Sequence, residues 1–188
     1  DKIMNQNLHK IVGYALILTM SSLLTACDKA SAGASNVELY GSAIGGLADD
    51  EAFAIVDAGA ENPVLLASNQ LIDDGQTAAF CDVYYAADGE AKKIGAVDDP
   101  ETTAPLTCDA SGIYAAGELQ VLRYEVREEG VLELSEAVYI RYDETGHETF
   151  EKTTDGRTEQ ITEEEFLALS EKAQKAELIL FHYGASGS

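Results

Sequence analysis

Apolar and polar residues alternate through the middle of the chain, which is the pattern of a β-strand with one buried and one solvated face. The clearest example is Leu122, Tyr124 and Val126, which are separated by charged residues. Turn-forming pairs punctuate such stretches, among them Asp88-Gly89 and Asp155-Gly156. Because Asp-Gly is favoured where a hairpin turn needs positive φ, the pattern predicts antiparallel β-hairpins.

Several strands are predicted from these runs. They are 52–56 paired with 64–67, 77–86 paired with 91–97, then 122–127 and 131–142. The run 131–142 is long for one strand, so we expect a bulge near Ser135-Glu136. A final strand, 178–182, is expected to pair back into the sheet.

Helical spacing is found on either side of the β-rich part. Ahead of it, apolar residues recur at Val37, Tyr40, Ile44 and Leu47. Behind it, Thr162 and Glu165 have the spacing of a capping box, and Ile161 can pack on Phe166 as a hydrophobic staple. The chain is therefore predicted to be mainly β, of the α+β type. We expect antiparallel hairpins in one small domain, with a short N-terminal helix and one C-terminal helix packed on the sheet.

The beginning of the chain has the pattern of an export signal. An uncharged, largely apolar run extends from Ile11 to Ala26 behind Lys10. A spanning helix needs about 20 predominantly apolar residues, so the run is short for a retained transmembrane helix and has the flanks of a signal peptide. An uncleaved anchor is the alternative. Met4 would begin a signal of ordinary length, which leaves open whether translation starts there.

The apolar run ends in Leu24-Thr25-Ala26-Cys27, which resembles the lipobox of bacterial lipoproteins. The resemblance implies that a signal peptidase cleaves before Cys27 and that Cys27 carries a diacylglyceryl group. Two acyl chains turn marginal membrane binding into stable anchoring, since each buried methylene contributes about 0.8 kcal/mol. The resemblance thus implies a protein held at the extracytoplasmic face of the cell membrane. The alternative is a Cys that follows an ordinary secretory leader by coincidence.

Composition divides the rest of the chain. Residues 28–36 are mostly Ala, Ser and Gly, which predicts a flexible tether. The predicted organisation is a signal peptide at 1–26, a lipidated Cys and tether at 27–36, one β-rich domain at 37–184 and a flexible tail at 185–188.

Charge excludes one class of partner. The 188 residues include 34 acidic and 12 basic ones, for a net charge of −22. Such a surface repels phosphate backbones, so we expect no binding to nucleic acid. The expected partners are the membrane, through the lipid, and a protein or glycan of the cell envelope.

Cys81 and Cys108 form the remaining pair of cysteines. In an exported compartment they could form a disulfide. The bridge would close a loop of about 27 residues and stabilise the fold by about 3 to 4 kcal/mol on the chain-entropy model. Two buried, unpaired thiols are the alternative.

No catalytic residue is predicted. The sequence has no nucleophile elbow, phosphate loop, dinucleotide fingerprint or zinc spacing. Acidic pairs such as Asp73-Asp74 and Asp98-Asp99 are abundant, and two carboxylates across a cleft could hydrolyse a glycoside. In so acidic a chain, solvated loops explain these pairs more simply.

The order of elements resembles small, uncharacterised lipoproteins of Gram-positive gut anaerobes that are related to single integrin-like (VCBS, FG-GAP) repeat units. The resemblance rests on an apolar strand running into Asp57, the hairpin turns at Asp88-Gly89 and Glu129-Gly130, and the helix start at 161–166.

In that family the first turn is a calcium loop, whose oxygen ligands suit a hard cation. Here Asp57 and Glu61 stand at acidic positions of the loop, but Gly59 replaces another acid and Val64 stands where a closing Glu is expected. The resemblance therefore implies a degenerate loop with weak candidate ligands. The alternative is a plain hairpin turn in which Asn62 tolerates the left-handed conformation. No metal or other cofactor is predicted, and calcium is the one cofactor left open.

These patterns together predict a lipid-anchored extracytoplasmic surface domain that binds or scaffolds another molecule without catalysis. The alternatives are a glycan-acting hydrolase that uses a carboxylate pair, and a calcium-stabilised adhesion-type module.

Overall fold

The computed structural model describes residues 36–72 and 75–184. The lipobox with Cys27, the leader before it, most of the tether and the tail at 185–188 lie outside the described residues. So does Asp73-Asp74. All described residues belong to one compact unit.

Strands dominate this unit. The first four are β1 (Ala52–Val56), β2 (Val64–Ser68), β3 (Cys81–Ala87) and β4 (Glu90–Val97). The next six are β5 (Thr107–Asp109), β6 (Gly112–Ala116), β7 (Gln120–Arg127), β8 (Val131–Tyr142), β9 (Glu148–Thr154) and β10 (Arg157–Ile161). Two short strands follow, β11 (Glu177–Leu178) and β12 (His182–Tyr183).

The strands form two antiparallel sheets. The five-stranded sheet has the order β12-β1-β2-β3-β4, and the seven-stranded sheet has the order β10-β9-β8-β7-β6-β5-β11. Each sheet is a meander to which a strand from the C-terminal part has been added. The prediction of a mainly antiparallel β protein is confirmed, but its division into two sheets was not predicted.

Local turn chemistry sets two of the hairpins. Asp88 and Gly89 have φ of 53° and 78° between β3 and β4, and Asp155 and Gly156 have φ of 50° and 72° between β9 and β10. Positive φ at both central residues defines the type I′ turn, whose twist matches that of the flanking strands. The turn predicted at each Asp-Gly pair is therefore confirmed.

A bulge interrupts the pairing of β7 with β8. Arg123 lies opposite Glu136 and Tyr124 lies opposite Leu134, which leaves Ser135 as the extra residue. The Ser135 hydroxyl donates a hydrogen bond to the Arg123 carbonyl at 3.1 Å. The bulge predicted near Ser135-Glu136 is confirmed.

The main core lies between the two sheets. Side chains alternate along each strand, so Val64 and Leu66 of β2 face this core while Leu65 between them faces outward. The five-stranded sheet contributes Ala52, Ala54, Val64, Leu66, Val83, Tyr85 and Val97, and the seven-stranded sheet contributes Ile113, Ala115, Leu122, Val126 and Ala137.

A helical segment covers the outer face of the five-stranded sheet. Residues 36–39 are helical and are followed by α1 (Gly41–Ile44). Tyr40, fully buried, packs with Phe53 and Leu65. Its hydroxyl donates to the Pro63 carbonyl and accepts from the Ala86 N–H at 3.1 Å. These bonds fix the segment to the sheet.

The outer face of the seven-stranded sheet is covered in part by α2 (Glu163–Lys175). Its Phe166, Leu169 and Ala173 pack against the sheet residues Tyr114, Val121 and Val138. Thr162 caps the helix, and its capping box with Glu165 is complete, as predicted. The layers therefore run helix, five-stranded sheet, seven-stranded sheet, helix.

The predicted single strand at 178–182 is wrong. β11 pairs with β5 in the larger sheet, whereas β12 pairs with β1 in the smaller one. In the segment between β11 and β12, the Ile179 N–H donates to the Leu106 carbonyl and the Phe181 N–H donates to the Gln76 carbonyl. Ile179 and Phe181 are buried in the main core. Residues 177–183, named here the strap, therefore join one edge of each sheet.

Candidate functional site

The seven-stranded sheet extends past the edge of its smaller neighbour. The edge strand β4 packs against β8, so closely that a Cβ added at Gly95 would lie 3.0 Å from the Leu132 side chain. Beyond that contact, side chains of β8, β9 and β10 that share the core-facing side of the sheet are half-buried or exposed. We name this surface the overhang face; it comprises Tyr139, Arg141, Thr149, Glu151, Thr153, Thr158 and Gln160.

Pairing between strands places these residues in rows. Tyr139, Glu151 and Gln160 form one row across the three strands. Thr153 and Thr158 form part of the next row, and their hydroxyls lie 2.9 Å apart. Directly paired residues of antiparallel strands project from the same side of the sheet, so the rows form one continuous surface.

Arg141 links the aromatic and acidic members of the overhang face. Its guanidinium carbon lies 4.5 Å from the centre of the Tyr139 ring, within the range of a cation–π contact. Its Nε lies 3.7 Å from a Glu151 carboxylate oxygen. Burial raises the pKa of the Tyr139 hydroxyl above its ordinary value, and the Arg141 charge offsets part of that rise. The hydroxyl is therefore a neutral hydrogen-bonding group at physiological pH.

The chemistry of the overhang face is that of polar recognition. It offers hydroxyls, an amide, a guanidinium and a carboxylate from neighbouring strands of a rigid sheet. Such groups hydrogen-bond to a ligand laid across them. One sign of this surface is present in the sequence. Strands β9 and β10 are polar on the side where β7 is apolar, which indicates that this side lacks a covering layer.

A second candidate surface lies at the edge of the five-stranded sheet. A depression of about 180 Å³ has three acidic residues in its lining, Glu51, Asp82 and Asp98. Asp82 accepts a hydrogen bond from the Lys93 ammonium at 2.5 Å, in a half-exposed ion pair. The three carboxylates therefore share one concave surface.

A charged network lies on the outer face of the larger sheet. Glu136 accepts from Arg123 at 3.3 Å and from Lys152 at 2.6 Å, and Arg123 also pairs with Glu125 at 3.2 Å. Arg123 and Glu125 help to line a shallow depression of about 240 Å³. Each charged group of this network pairs with another one in the protein, so the network contributes to the fold rather than to a binding site.

The turn that carries the weak calcium candidates is held by the protein itself. Asp57 accepts from the Gly59 N–H at 3.2 Å, and Gly59, with φ of 78°, takes the left-handed conformation. Asn62 does not take it, which corrects that expectation; its side-chain amide instead donates to the Ala86 carbonyl at 3.0 Å. Glu61 is exposed. Among residues 36–72 and 75–184, no three His, Cys, Asp or Glu side chains gather to hold a metal ion, and calcium binding stays a hypothesis.

Cys81 and Cys108 are buried, free thiols. Cys81 lies in the five-stranded sheet and Cys108 in the seven-stranded sheet, and both contribute to the core between the sheets. Burial raises the pKa of each thiol to about 12. Of the two arrangements considered from the sequence, the structure therefore contains the two unpaired thiols and not the disulfide.

The chain matches no protein-family model, no curated protein and no solved structure. In the described ranges no helix is long and apolar enough to cross a membrane. The predicted lipidation site, Cys27, and the cleavage residues Leu24, Thr25 and Ala26 lie outside these ranges. Inference about function therefore rests on the overhang face and on the lipobox in the sequence.

Proposed function

We propose that this protein is a lipid-anchored, extracytoplasmic binding domain that uses its overhang face to hold a glycan of the cell envelope without chemical conversion. The observation that carries the proposal is the overhang face itself, where Tyr139, Arg141 and Glu151 lie beside the Thr153–Thr158 hydroxyl pair. A glycan presents hydroxyls at close spacing, and hydroxyl, amide and paired charged groups are their natural hydrogen-bond partners. The net charge of −22 favours an uncharged glycan over an anionic one.

Binding by the overhang face is tested with the full chain in detergent and with polysaccharides isolated from the producer's envelope. Arg141→Glu removes the guanidinium and repels Glu151, so we expect at least tenfold weaker binding. Lys175→Glu is the matched control, because Lys175 is an exposed cation paired with Glu171 on α2, away from the overhang face. Equal binding by both variants, or binding of envelope proteins in place of glycans, would overturn the proposal.

Anchoring is supported by the lipobox and by the short distance in sequence from it to the folded unit. Cys27 lies ten positions before Val37, the first residue of the predicted β-rich domain, and the residues between are mostly Ala, Ser and Gly, a composition that suits a short tether. We expect Cys27→Ser to release the protein from membrane fractions or to block its processing. Retention of the Cys27→Ser protein in the membrane would refute lipidation.

A glycoside hydrolase is the second candidate function, favoured by the acidic depression at the sheet edge. Glu51, Asp82 and Asp98 line it, and a pair of carboxylates roughly 5 to 10 Å apart is what glycoside hydrolysis uses. The test is the release of reducing ends from the same polysaccharides. Activity lost in both Asp98→Asn and Glu51→Gln would establish the hydrolase, and intact polysaccharide after long incubation with the wild type would exclude it for these substrates.

A further inference from the structure

Strand β10 has one edge with which no other strand of the described residues pairs. It is the last strand of its sheet as described, where it pairs with β9. Residues 157–160 are all exposed. A free edge of this length offers unpaired backbone N–H and C=O groups to another strand.

The hairpin turn determines which of these backbone groups point outward. Thr154 and Arg157 flank the two-residue turn and pair with each other, as the closing pair of a type I′ hairpin does. The N–H and C=O of Arg157 and, two residues on, of Glu159 therefore point towards β9. Those of Thr158 and Gln160 point away from the sheet, because the direction alternates along a strand.

Charge decides how a second copy of β10 could pair with this edge. With Thr158 opposite Thr158 of the second copy, Arg157 faces Glu159 of the second copy, and the two-fold axis repeats the contact. With Glu159 at the axis, two carboxylates face each other, which is destabilising. With Gln160 at the axis, Glu159 of each copy faces the apolar Ile161 of the other copy, so Glu159 gains no ion pair. The sequence of β10 is thus self-complementary about Thr158 alone.

We propose that two copies of this chain associate through antiparallel pairing of their β10 strands, with Thr158 at the two-fold axis and two Arg157–Glu159 ion pairs across it. The pairing joins the two seven-stranded sheets into one continuous sheet. Charged residues on an edge strand usually prevent pairing with a foreign strand. Here the charges of Arg157 and Glu159 disfavour pairing with a foreign strand, but they are complementary to those of a second copy of β10.

The net charge of −22 on each chain works against this association at long range. Screening by salt weakens that repulsion over distances beyond about 8 Å at physiological ionic strength, whereas the Arg157–Glu159 contacts are much shorter. The contact does not depend on the proposed glycan binding or on anchoring. Confinement to one membrane surface would nevertheless raise the effective concentration of the copies.

Cysteine cross-linking in producing cells tests the register. In the proposed register the two copies of Thr158 form a hydrogen-bonded pair. The Cα atoms of such a pair lie about 5.5 Å apart, which suits a disulfide. We expect Thr158→Cys to give a covalent dimer on mild oxidation. Gln160→Cys is the matched control, since in this register it faces residue 156 of the second copy and should not cross-link. Dimer from Gln160→Cys alone, or from neither variant, would overturn the proposal.

Charge reversal tests the energetics in the full chain purified in detergent, by sedimentation. Arg157→Glu and Glu159→Arg should each raise the dimer dissociation constant about tenfold, because each replaces attractive pairs with like charges. The double variant restores both pairs with reversed sign and should dimerise like the wild type. A double variant as weak as the single ones, or a wild type that stays monomeric at high concentration, would refute the pairing. Arg157 and Glu159 are both exposed, so the thermal unfolding of the variants should match that of the wild type. The same measurement would reveal a variant that fails to fold.

Discussion

The Phe181 N–H donates a hydrogen bond to the Gln76 carbonyl at 2.7 Å, while the Phe181 ring is buried in the core between the sheets. This pair of residues, far apart in sequence, holds the strap across the opening between the two sheets. The contact combines a satisfied backbone bond with burial of an aromatic ring, and both stabilise the closed sandwich.

Replacing Phe181 with Ala should therefore cost about 3 to 5 kcal/mol of unfolding free energy, because the ring is lost from a close-packed core. Leu180→Ala is the matched control. Leu180 precedes Phe181 and is 50% exposed, so we expect a change within about 0.5 kcal/mol. Urea unfolding measures both. A loss of similar size in the two variants would mean that the strap does not close the core.

The ion network on the outer face should be sensitive at Glu136. This side chain is 15% exposed and contacts both Arg123 and Lys152. Glu136→Gln removes the negative charge that Arg123 and Lys152 share, and we expect a loss of about 1 to 3 kcal/mol. Glu133→Gln is the control, since Glu133 is 41% exposed and pairs with Arg127 near the solvent. Equal losses in the two variants would contradict a special role for Glu136.

The capping box at the start of α2 should appear in the titration of Glu165. Hydrogen bonds from the Thr162 N–H and hydroxyl lower the pKa of Glu165 below its ordinary value. A carboxyl whose folded pKa is depressed contributes stability above its unfolded pKa, and that contribution is lost as the pH falls through the folded pKa.

Thr162→Ala should therefore move the pKa of Glu165 back towards its ordinary value, as followed by NMR. It should also reduce the stability at neutral pH by about 1 kcal/mol, the usual cost of losing a cap. The stability difference from the wild type should shrink under acidic conditions. An unchanged Glu165 titration in this variant would show that the capping contact is absent in solution.

The two buried thiols should be unreactive in the folded protein. Only the thiolate attacks thiol reagents, and a pKa of about 12 leaves almost none of it at pH 8 for Cys81 or Cys108. We expect slow labelling of the native protein and fast labelling of both in urea without reductant. Measuring this in the Cys27→Ser background removes any contribution from Cys27. Unfolded protein that yields no thiols would instead establish the disulfide.

The elements that could be predicted are those with local causes. An Asp-Gly turn, a capping box and a bulge each depend on residues a few positions apart, whose steric and hydrogen-bonding preferences act without the rest of the fold. For that reason the sequence predicts the turn at Asp88-Gly89, the cap formed by Thr162 with Glu165, and the bulge near Ser135.

Pairing between distant strands could not be predicted in the same way. The apolar pattern of residues 178–182 fits a strand in any sheet with a free edge. Only the shape of the complete core sends Leu178 to β5 and His182 to β1. The overhang face escaped prediction for a related reason. Its polar residues look like those of any solvated strand until the difference in width between the two sheets is known.

The strap also bears on how the protein comes to be folded. Among the strands of the described ranges, those of the strap (177–183) come last in the sequence, yet they pair with β1 and β5, the first strands of their respective meanders. A chain that emerges amino end first therefore presents both of these edges unpaired until its strap has followed. During that interval the two unpaired edges expose the nascent protein to aggregation, and completion of the sandwich waits for the strap.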